Sequence, residues 1–94
     1  MPPMSPRFEE EIMRTFGQRL KAARKAAGFP HAKEFAEALG IEENRYRHWE
    51  RGSAQPNLAM LVRITRLLKV EISDLVPAAY QRKNDHSLPN RAAS

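Results

Sequence analysis

The stretch HAKEFAEALGIEENRYRHWERG, residues 31–52, decides how this chain folds. Ala32, Phe35, Ala36 and Leu39 fall at i, i+3, i+4 and i+7, the apolar stripe of one helix face. Gly40 then supplies the residue that most easily takes the left-handed turn closing a helix. Only Ile41 and Glu42 separate this helix from a third, running from Glu43 to Arg51 and closed by Gly52. Two helices joined by so short a turn cross at a steep angle, as in a helix-turn-helix. The third helix turns Tyr46 and Trp49 toward the core with Ile41. Glu43, Asn44, Arg47, His48 and Arg51 then face outward.

Outward from this pair, the spacing predicts a long first helix over Pro6 to Ala27. Ser5 can cap it, and Pro6 suits its first position. Glu9 to Glu11 lie at the positive end of its dipole, and Lys21, Arg24 and Lys25 at the negative end. Its stripe is Phe8, Ile12, Phe16, Leu20, Ala23 and Ala27, with Gly17 inside the helix at a propensity cost of about 1 kcal/mol. Beyond Gly52, residues 53–57 read as a turn, and Asn57 caps a fourth helix over Leu58 to Lys69. Leu58, Leu61, Ile64, Leu67 and Leu68 face inward on that helix. A short fifth helix follows Ser73, kept short by Pro77.

The expected fold is all-α, a compact five-helix bundle containing a helix-turn-helix. Residues 1–6 form a flexible N-terminal arm, 7–80 the folded domain and 81–94 a polar, disordered tail. The expected core is Phe16, Leu20, Phe35, Ala36, Leu39, Ile41, Tyr46, Trp49, Leu58, Leu61, Ile64 and Leu68.

Four segments, Arg19-Leu20-Lys21-x-x-Arg24, Phe35-Ala36-x-x-Leu39-Gly40-Ile41, Trp49-Glu50-x-Gly52 and Pro56-Asn57-Leu58, occur in order over residues 16 to 76. Together they resemble the phage-repressor family of helix-turn-helix proteins (lambda repressor/Cro, also called XRE). The resemblance implies that the third helix enters the major groove, with Glu43, Asn44, Arg47 and His48 toward base edges. It implies phosphate contacts for Arg45 and Arg51. It also implies a structural salt bridge between Arg24 and Glu50. Ala32 and Glu42 depart from the family pattern, which often has a glutamine near the start of helix two and a small polar residue before helix three. The segment Phe29-Pro30-His31 is one residue longer than the common form.

The side-chain chemistry supports the same reading. A major groove about 12 Å wide admits one helix, and arginine suits guanine, asparagine adenine, and glutamate the N4 donor of cytosine. Arg19, Lys21, Lys25, Lys33, Arg45 and Arg51 are candidates for phosphate contact. A net charge of +5 favours a polyanionic partner. Each residue also has a plainer reading: Glu43 as a helix-dipole acid, Trp49 as core, and the basic run Arg19 to Lys25 as a solvated face.

Other chemistries find little support. With no cysteine there is no disulfide or thiolate site, and the three histidines have no metal-ligand spacing. No nucleophile motif or glycine-rich phosphate loop is present. The expectation is therefore a non-enzymatic protein without metal or cofactor. It is read as cytoplasmic, of bacterial or phage origin, nucleoid-associated when bound to DNA, and without a membrane segment. Its partner is double-stranded DNA, bound as a homodimer through Leu75, Val76 and Tyr80, with Pro2 to Arg7 as an arm. The alternative is a protein-interaction module of the same fold, antitoxin-like or partner-binding.

Overall fold

A computed structural model describes residues 6–76. The elements are α1 (Pro6–Ala26), α2 (Ala32–Leu39), α3 (Glu43–Arg51), α4 (Leu58–Leu68) and α5 (Ile72–Leu75). There is no strand among the described residues, and the fold is an all-helical bundle of five helices. Residues 1–5 of the expected arm, the tail and Tyr80 lie outside the described residues, whereas Pro6 and Arg7, read as the end of that arm, form the first turn of α1.

Local chemistry sets the helix ends. Gly40 and Gly52 close α2 and α3 in left-handed conformations, each returning its N–H to the preceding turn. Asn57 caps α4 by accepting the N–H of Met60. Helix α5 begins with a reciprocal capping box between Glu71 and Asp74.

The core gathers Leu20 of α1, Phe35 and Leu39 of α2, Tyr46 and Trp49 of α3, Ile64 and Leu68 of α4, and Leu75 of α5. Phe29, Phe35, Tyr46 and Trp49 form a continuous edge-to-face chain with centroids 5.1, 5.3 and 6.0 Å apart. Such pairs add about 0.5–1.5 kcal/mol each beyond the area they bury. Phe16, Ala32 and Ala36 are also buried, while Ile41 and Leu61 are half-buried against the cluster.

Four placements differ from those read from the spacing, the first being Ala27, which is exposed just past the end of α1. Leu58 is 72% exposed rather than buried. It is the first residue of α4, and helical side chains lean back toward the N-terminus, so its own points past the end of the helix. Thr65 occupies the buried stripe instead, its hydroxyl bonded to the Val62 carbonyl at 2.8 Å. Leu75 is wholly buried, so a dimer contact through it would require the protomer core to open.

Gly17 shows why a mid-helix glycine stands in α1. A Cβ there would lie 2.3 Å from the Glu50 carbonyl oxygen and 2.7 Å from that of Trp49. The backbone of α1 meets the C-terminal end of α3 at this point, and hydrogen is the largest substituent that fits.

Candidate nucleic-acid interface

Helix α3 is held from beneath by a buried polar cluster. Arg24, 3% exposed, donates from Nε to Glu50 Oε2 at 2.7 Å and from Nη1 to the Phe29 carbonyl at 2.7 Å. The Tyr46 hydroxyl donates to the same Glu50 oxygen. Burial and the neighbouring Glu50 carboxylate push the Tyr46 hydroxyl well above its ordinary pKa. One carboxylate therefore ties α1 to α3, and one guanidinium ties α1 to the loop before α2. The crossing of the two helices is fixed by side chains of α1 and α3 and by a backbone carbonyl of the loop between α1 and α2.

The outer face of α3 carries Glu43, Asn44, Arg47, His48 and Arg51. Asn44, Arg47 and Arg51 are exposed; Glu43 and His48 are half-buried. Glu43 and Arg47 meet across one turn: Arg47 donates from Nε to Glu43 Oε2 at 2.8 Å, and its Nη2 pairs with the same oxygen at 2.6 Å. His48 Nδ1 lies 2.8 Å from Ser53 Oγ, which links the outer face of α3 to the loop after it. The i, i+4 rule made the first contact legible in the sequence. The second crosses a helix end and carries no such signal.

The candidate phosphate contacts divide. Lys21, Lys25, Lys33, Arg45 and Arg51 are exposed. The Arg45 guanidinium carbon sits 5.6 Å from the centroid of the Trp49 ring, a cation–π contact that steadies it along the helix. Arg19 is half-buried and donates through Nη1 to the Val76 carbonyl at 2.9 Å, so it locks the end of α5 to α1. Arg63, not singled out from the sequence, donates to the Leu39 carbonyl at 3.0 Å and satisfies the exposed C-terminal end of α2. Nothing local in the sequence marks this bond, because its partners are far apart in the chain.

Among the described residues no group of three His, Cys, Asp or Glu could hold a metal ion, and no helix is long and apolar enough to cross a membrane.

A family model described as Helix-turn-helix matches residues 20–75. The chain is also similar to the SPbeta prophage-derived uncharacterized HTH-type transcriptional regulator YonR of Bacillus subtilis (strain 168). The two are 32% identical over 65 residues, covering 69% of this chain and 59% of that protein. This chain thus spans less than two thirds of that relative's length. No solved structure gave a significant match.

Proposed function

Because the chain belongs to the phage-repressor-like (XRE) helix-turn-helix family, we propose that it is a sequence-specific DNA-binding regulator that docks α3 in the major groove. The observation that carries this is the face of α3 itself. Asn44, Arg47 and His48 project from a helix whose seat is fixed by the buried Arg24–Glu50–Tyr46 cluster. Forked donors and acceptors on a rigid helix are what base-edge reading requires. Lys21, Lys25, Lys33, Arg45 and Arg51 supply the phosphate contacts that set register. The protein acts as a repressor by occupying an operator, and it binds as a homodimer on half-sites about one helical turn apart. Val62 and Ile72, with Leu58, are large apolar residues exposed on α4 and α5 and available for such a contact.

Selection from a random duplex pool tests this reading. A palindromic sequence bound far more tightly than the pool is the expected result. Weak, salt-sensitive binding with no enrichment would overturn it. The same exposed apolar residues favour a second reading as a protein-binding module. That reading predicts a protein partner that stays bound after nuclease treatment.

A further inference from the structure

We propose that Glu43 reads no base itself and instead sets the base preference of Arg47; this deepens, and rests on, the major-groove reading above. Two observations point to it. An acid in the first turn of a groove-facing helix approaches the phosphates and opposes binding, unless its charge is met. Among the described residues it is met by Arg47 alone, whose Nε and Nη2 both approach one oxygen, Oε2.

The geometry of guanidinium makes this pairing selective. Its five donors lie in a plane, and Nε–H with one N–H of Nη2 forms the side edge of the fork. Glu43 fills that edge at 2.8 and 2.6 Å. The end-on edge, one N–H each from Nη1 and Nη2, remains for DNA. Its two parallel donors match O6 and N7 of guanine. Arg47 without Glu43 could turn either edge to a base, or swing its flexible stem to a phosphate. Glu43 therefore does two things: it orients the fork, and it weakens the pull of the backbone on Arg47. With 51% and 35% of the two side chains exposed, water competes with this pair in the free protein. A groove that excludes water strengthens it.

The test compares base preference and affinity for wild type, Glu43→Ala, Glu43→Gln, Arg47→Ala and the Glu43→Ala/Arg47→Ala double variant. All are measured on the selected duplex, on its single-base variants and on random duplex. Circular dichroism melts confirm that each variant folds. Arg47→Ala should erase preference at one base pair, by about 5- to 150-fold. Glu43→Ala should reduce preference at that same base pair by about 2- to 10-fold while raising affinity for random duplex. Glu43→Gln keeps an acceptor oxygen but loses the charge, and should follow Glu43→Ala. The double variant should match Arg47→Ala in base preference, while binding every duplex more tightly because the stranded Glu43 carboxylate is gone. Loss of preference at a different base pair in Glu43→Ala, additive with Arg47→Ala, would overturn the proposal and make Glu43 a reader. A lower melting temperature with unchanged base preference would also overturn it, leaving only a helix-end charge. If Arg47→Ala changes preference nowhere, the major-groove reading itself fails, and that failure is visible in the single variant.

Discussion

Arg24 sits between two helices with 4% of its side chain exposed, opposite a Glu50 side chain exposed to 11%. Removing one member of such a pair leaves the other charged, buried and without its counter-ion. Arg24→Ala should therefore cost about 3–5 kcal/mol, read from urea unfolding. Replacing both Arg24 and Glu50 by apolar residues of similar volume should cost clearly less than Arg24→Ala. Equal losses would mean that the pair itself, and not the stranded carboxylate, carries the stability. Tyr46 adds a pH dependence whose sign follows from its raised pKa. The folded state favours the neutral hydroxyl, so this contribution is complete below the ordinary tyrosine value of 10.0 and is lost as pH rises above it. Between pH 10 and 11 its loss approaches about 1.4 kcal/mol per pH unit. Tyr46→Phe should flatten that part of the profile. An unchanged slope in the variant would assign the alkaline loss to other groups.

Elements were legible where a rule acts over one or two turns. The i, i+3, i+4, i+7 stripe of Ala32, Phe35, Ala36 and Leu39, the glycines after α2 and α3, and the cap at Asn57 are all local signals, and each stands where its rule puts it. Leu58 misled because a stripe says which face is apolar but not whether anything lies beyond the helix end. The bonds of Arg19 to Val76 and Arg63 to Leu39 were invisible for a related reason: each depends on how helices dock, and nothing in the flanking residues announces it. Gly17 is the sharpest case. Helix propensity alone predicts that Gly17→Ala stabilises by about 1 kcal/mol. The carbonyls of Glu50 and Trp49 at 2.3 and 2.7 Å from an added Cβ predict the opposite. Both are backbone atoms, so relief requires α1 and α3 to separate. The expected outcome is a net loss of about 1–3 kcal/mol, seen as a melting temperature several degrees lower. A variant melting above wild type would mean that the helices part at little cost.

For the molecule as a whole, charge placement divides affinity from folding. Five of the exposed cations, Lys21, Lys25, Lys33, Arg45 and Arg51, belong to α1, α2 and α3, the helices that carry and flank the proposed recognition face. If all five meet phosphate, the slope of log K against log salt should be about −4 to −5 per protomer, and twice that for a dimer on its site. Lys25→Ala should then shallow the slope by about 1 per protomer and weaken every sequence alike. Arg47→Ala should instead act mainly on the preferred sequence, losing about 1–3 kcal/mol there. Arg19 provides the internal control. Its guanidinium is already engaged at the Val76 carbonyl, so Arg19→Ala should lower stability and leave the salt slope of the folded protein unchanged. A slope that shallows with Arg19→Ala as much as with Lys25→Ala would place both residues on the phosphate backbone. It would also mean that the bond to α5 opens when DNA binds. Unchanged slopes in both would leave Lys21, Lys33, Arg45 and Arg51 as the phosphate contacts.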